Sequence, residues 1–122
     1  MKRDWDVIRE VLTEIEALPS SERGNLTYGV GPEYPAEHAS KSEHALLLWK
    51  GGFVSAIDIT SYGGEAIISP ELTWQGHELL DTIRSKAVWE RIKTTAKEKG
   101  IELTFDSVKA LGKVALDWVL SN

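Results

Sequence analysis

A strand ending at Pro70 that runs straight into Leu72-Thr73-Trp74-Gln75-Gly76-His77-Glu78-Leu79-Leu80-Asp81-Thr82-Ile83-Arg84 narrows most what this chain can fold into. Thr73 has the side chain of a helix N-cap, a hydroxyl able to accept from a free amide of the first turn. Leu72, Leu79, Leu80 and Ile83 then recur at helical spacing and define one apolar stripe. Gly76 is the anomaly. Glycine weakens a helix relative to alanine, so a helix that keeps one in its first turn is expected to have another backbone pressed against it there.

At 122 residues the chain is read as one domain, spanning 1–122, with enough apolar residues for a single core. It has no cysteine, which excludes a disulfide framework, a thiolate metal site and a cysteine nucleophile, and fits a reducing cytoplasm. Lys2, Arg3, Asp4 and Asp6 interrupt any apolar run after Met1, so no signal peptide is expected. The longest continuous apolar segment, Ala45–Trp49, is far too short to span a membrane. The net charge of −5 favours solubility and weakens the argument for non-specific nucleic-acid binding, although local patches count for more than totals.

Taken in order, Asp4–Leu18 reads as a helix capped by Asp4, with Trp5, Ile8, Leu12, Ile15 and Leu18 as its buried stripe. Leu26-Thr27-Tyr28 is expected as a short strand in a glycine- and proline-punctuated segment. Gly29-Val30-Gly31 lacks the spacing and the Lys-Ser/Thr of a phosphate loop and reads as a connector. A second helix starts at Ala36 or Ser40 and ends at Lys50 before Gly51-Gly52; its run Leu46–Trp49 requires enclosure on most sides. Phe53–Thr60 and Ala66–Ser69 pair across the Ser61–Glu65 turn, with Pro70 at what reads as a sheet edge. Ser85-Lys86 marks a kink or a new cap, Gly100 ends the next helix, and Thr104 caps a last helix over Phe105–Leu120. The order defines an α+β chain of four to five helices with a β-hairpin.

The chain resembles the bacterial and phage family known as domain of unknown function 2513. The resemblance is carried by Met1-Lys2-Arg3-Asp4-Trp5-Asp6-Val7-Ile8-Arg9, His44-Ala45-Leu46-Leu47-Leu48, Gly51-Gly52-Phe53-Val54, Ala56-Ile57-Asp58, Leu72 to Asp81, Val88-Trp89 and Lys97-Glu98-Lys99-Gly100. The segment Ser20–Glu37 departs from it most. A strand feeding a capped helix through Leu-Thr-x-x-Gly also follows the wing of many winged-helix domains, so the resemblance implies a winged-helix-like layout with the hairpin as wing. It implies no activity.

No residue pattern marks a reaction. There is no serine on a glycine-flanked elbow, and Asp4 and Asp6 are explained by the dipole of the first helix. His77 and Asp81 are spaced i, i+4 and His44 follows Glu43, but a metal site needs three or four convergent ligands. His44 and His77 are therefore read as hydrogen-bonded structural residues where their helices meet. The chain is expected to be non-enzymatic, with no metal and no cofactor.

Two recognition readings stay open. The first is a small regulatory DNA-binding protein using Lys41 and Lys50 of the second helix and the basic run of Arg84, Lys86, Arg91 and Lys93. The second is a protein-binding module anchored by half-exposed Trp5, Trp74 and Trp118 with acidic Glu10 and Glu14, for example a mobile-element inhibitor of a host defence or nucleic-acid-handling complex. Homodimerisation through the last helix is compatible with both.

Overall fold

The computed structural model describes residues 1–121 and confirms an α+β chain: five α-helices and a three-stranded antiparallel sheet among those residues. The chain divides into two compact units, Met1–His77 and the remainder from Glu78 onward.

In the first unit, α1 (Trp5–Ala17) begins where Asp4 Oδ1 accepts from the amides of Asp6 and Val7. Its stripe buries Ile8, Val11, Leu12 and Ile15. Trp5 heads that stripe, and with 8% of its surface exposed it is a core residue, not the half-exposed ring expected from its terminal position. After a 3-10 turn at Ser20–Asn25 comes β1 (Thr27–Val30), then a second 3-10 turn, Ala36–His38, leading into α2 (Ala39–Lys50). Enclosure of α2 is as its composition requires: Ala45, Leu46 and Leu48 are buried, and only Leu47 of the apolar run faces out.

The hairpin strands are β2 (Val54–Asp58) and β3 (Glu65–Leu72), and the sheet order is β1-β3-β2. Pro70 therefore lies in the central strand, not at an edge. It is tolerated because the ladder is broken where it sits. On one side, the pairing with β1 stops at Thr27 opposite Ile68. On the other, Ser55 pairs with Glu71 and Ile57 with Ile68, so β3 spends two residues, Ser69 and Pro70, where β2 spends one. Ser69 takes a left-handed conformation at φ 58° to absorb the extra residue. The missing proline amide thus has no partner to lose, and β3 continues to Leu72 instead of stopping at Ser69.

β3 feeds α3 (Trp74–Ile83), whose Leu79, Leu80 and Ile83 are buried. In the second unit, Ser85 is a true N-cap: its Oγ accepts from the Val88 amide and starts α4 (Lys86–Lys99). Gly100 closes α4 in a left-handed conformation. Thr104 and Ser107 then cap each other reciprocally to start α5 (Phe105–Ser121). Within this unit α4 packs on α5 through Val88, Trp89, Ile92 and Ala96 and, across from them, Val108, Gly112 and Ala115.

Candidate functional site

The opening of α3 is built as a rigid junction. Thr73 donates its amide to the Phe53 carbonyl (3.1 Å) and its hydroxyl to the Gly52 carbonyl (2.6 Å), while the same oxygen accepts from the Gly76 amide (3.2 Å). One threonine thereby caps α3 and ties it to the turn after α2. A methyl at Gly76 would overlap the Phe53 carbonyl oxygen and lie 3.1 Å from its carbon, so the expected close backbone is the Gly52-Phe53 segment. The two stretches Gly51–Val54 and Leu72–Gly76 are halves of this one joint.

Trp74 stands on that joint and takes no part in it. Its ring is 79% exposed at the first position of a helix whose backbone is fixed on both sides. Gln75 and His77 are exposed beside it in sequence. His77 Nδ1 is 3.9 Å from a Glu16 carboxylate oxygen, beyond hydrogen-bond distance, so the expectation of a hydrogen-bonded structural histidine does not hold there.

It does hold for His44, which is 2% exposed. Its Nε2 accepts from the Asp4 amide (2.9 Å), so Nδ1 carries the proton and donates to the Ser40 carbonyl (2.6 Å). The histidine links the start of α1 to the first turn of α2. Among the described residues no group of three or more His, Asp or Glu is placed to hold a metal ion.

A second polar cluster joins α1, β1 and α2. Tyr28, buried on β1, donates its hydroxyl to Glu14 (2.6 Å), and Lys41 donates to Glu14 (2.9 Å) and pairs with Glu10 (3.2 Å). Burial pushes the Glu14 carboxyl up, but the Tyr28 hydroxyl and the Lys41 ammonium outweigh it and hold the group below the ordinary glutamate value. Burial, then Glu14, pushes the Tyr28 phenol well above its ordinary value. The hydrogen bond to Glu14 raises Lys41, against a smaller opposing effect of burial.

The six cations proposed for DNA are mostly engaged within the protein. Lys41 is held by Glu10 and Glu14, Lys50 by Glu65 (2.9 Å), Arg84 by Asp81 (3.1 Å) and Lys93 by Glu90 (3.4 Å). The Arg91 guanidinium lies 4.3 Å from the Trp118 ring centre, a cation–π contact between α4 and α5. Lys86 is exposed and makes no ion pair among the described residues. Trp118, 45% exposed, is half open as expected.

Sequence reasoning missed the apolar exposure of the hairpin. Ile57 and Ile59 share a face of the β2 segment as alternation predicts, but that face is solvent, and Tyr62 at the turn is fully exposed. A local pattern of period two fixes which residues share a face and not which face the core covers. Charge is also divided unevenly. The first unit carries 6 Lys and Arg against 12 Asp and Glu, a net of −6, whereas the rest of the chain carries 8 against 7.

The profile of the family DUF2513, described as a hypothetical protein, matches residues 2–102, and the chain belongs to that family. It is also 39% identical over 121 residues to an uncharacterised protein of Haemophilus influenzae, covering 99% of this chain and all of the relative. No solved structure matches it. No helix among the described residues is long and apolar enough to cross a membrane.

Proposed function

We propose that the chain is a non-enzymatic protein-recognition module. The observation that carries this reading is the chemistry of the first unit's surface. The two lysines of α2, Lys41 and Lys50, are closed onto carboxylates, and the exposed large side chains on the hairpin and at the opening of α3 are Ile57, Ile59, Tyr62 and Trp74. Phosphate recognition wants mobile cations, whereas aromatic side chains on a fixed backbone are what protein interfaces use as anchors. The net of −6 on this unit fits a partner with a basic surface, such as a host complex that handles nucleic acid, and a mobile-element inhibitor of such a complex is the concrete form of the proposal.

A second reading rests on topology. The order β1-β3-β2, with α2 leading into the hairpin, resembles that of winged-helix proteins, many of which bind DNA. In that layout α2 would enter the major groove. Here α2 has Ser42, His44, Ala45, Leu46 and Leu48 buried, which leaves little of it to offer a groove.

Trp74→Ala separates recognition from folding. Because the ring contributes little to the core, the substitution is expected to change stability by no more than about 0.5 kcal/mol. It is expected to weaken capture of a partner from host lysate by about 30-fold or more, as loss of an interface anchor does. Capture by the variant equal to that of the wild type would remove Trp74 from the interface.

A further inference from the structure

We propose that α5 is a self-association surface on which a second copy of this chain docks antiparallel, with the two-fold axis passing near position 115. The buried residues Val108, Gly112 and Ala115 fix which side of α5 faces its own unit. The opposite side carries Ala110, Lys113, Asp117 and Leu120, all exposed, at the 3-4-3 spacing of a helix-pairing seam. Val114 and Leu116 flank that seam, and both are exposed. Leu120 is the extreme case at 76%. A seam of two charged residues between apolar ones, exposed along its whole length, is left largely uncovered in a single copy.

Charge selects the occupant and its direction. In an antiparallel pair with its centre at 115, each Lys113 meets Asp117 of the other copy, twice by symmetry. Each Leu120 meets Ala110 of the other copy, and Val114 and Leu116 each lie beside their own equivalents on opposite flanks. A parallel pair would instead set Lys113 against Lys113 and Asp117 against Asp117. The surface is thus complementary to itself when the two helices run antiparallel and repels itself when they run parallel, which points to a second copy over an unrelated helix. This inference concerns the second unit alone and does not depend on the reading given for Trp74.

The test is sedimentation equilibrium of the full chain over a concentration series, with helix content checked by circular dichroism. The wild type is expected to show a monomer–dimer equilibrium. Lys113→Asp places four acidic groups at the seam and Asp117→Lys places four basic ones, so each variant alone is expected to associate at least about tenfold more weakly. Mixed in equal amounts, the two variants restore opposite charges at both contacts and are expected to form a heterodimer of near wild-type strength. A wild type that stays monomeric at every concentration would overturn the proposal and leave the seam to a different protein. Single variants that associate like the wild type, or a mixture that fails to recover, would overturn the register.

Discussion

Gly76→Ala is expected to destabilise the protein by about 3 kcal/mol or more, read as a fall in the denaturant midpoint. The sign is what makes the substitution informative. At an ordinary position inside a helix, replacing glycine by alanine stabilises by about 1 kcal/mol. Here the added methyl would overlap the Phe53 carbonyl oxygen, which is backbone and cannot swing aside. Relieving the clash means moving α3 off the turn after α2, and that breaks the Thr73 hydrogen bonds to the Gly52 and Phe53 carbonyls. A neutral or stabilising alanine would mean that the joint is looser than its geometry shows. Because Trp74 rides on this joint, Gly76→Ala protein that still folds should also be disturbed in recognition.

Glu14→Ala is expected to cost about 2 kcal/mol, mainly by leaving the buried Tyr28 hydroxyl without an acceptor. The Lys41 arm adds less, since the Glu14 side chain is about a third exposed and solvent screens that pair. The same cluster gives a pH dependence with a definite sign. The folded-state carboxyl sits below its ordinary value, so its contribution is complete above the ordinary glutamate range and is lost as pH falls through the lowered value. Tyr28 and Lys41 are shifted upward, so their contribution is intact below their ordinary values and is lost only as pH rises through the raised ones. Glu14→Gln keeps an oxygen for Tyr28 and removes the charge. It should therefore be less destabilising than alanine at neutral pH, and its stability should fall less steeply in acid. Parallel acid slopes for wild type and Glu14→Gln would place the titrating group elsewhere.

Local signals in the sequence carried the fold a long way. The caps at Asp4, Thr73, Ser85 and Thr104 all appear where a short polar side chain precedes an apolar helical pattern. Gly76 announced a close backbone because nothing else explains a glycine in that turn. What could not be read locally is long-range. Pro70 sits in the central strand because β1, 40 residues earlier, adds to the free side of the hairpin, and a bulge at Ser69 makes room for it. Trp5 reads both as the head of the buried stripe and, because it opens a helix, as a half-exposed ring; its place on the stripe with Ile8 and Leu12 decides for burial. His44 and His77 look alike in sequence and differ because only His44 lies under the start of α1. The candidate site was half legible. Trp74 and Trp118 were singled out as exposed rings, while the pairing of Lys41 with Glu10 and Glu14, and of Lys50 with Glu65, depends on contacts between elements that no spacing rule encodes.

Whether the chain recognises protein through an apolar surface or DNA through its cations is decided by fluorescence anisotropy of the purified chain titrated into labelled random-sequence duplex. Two salt concentrations, about 50 and 200 mM, bracket the range in which phosphate-driven binding collapses. On the protein-recognition reading no binding is expected at either, because five of the six candidate cations are engaged by Glu10, Glu14, Glu65, Asp81, Glu90 and Trp118, and Lys86 alone is too little charge to hold a duplex. Firm binding at the lower salt that falls steeply at the higher, and that weakens when Lys86 or Arg91 is replaced by alanine, would contradict it and return the chain to the DNA-binding reading.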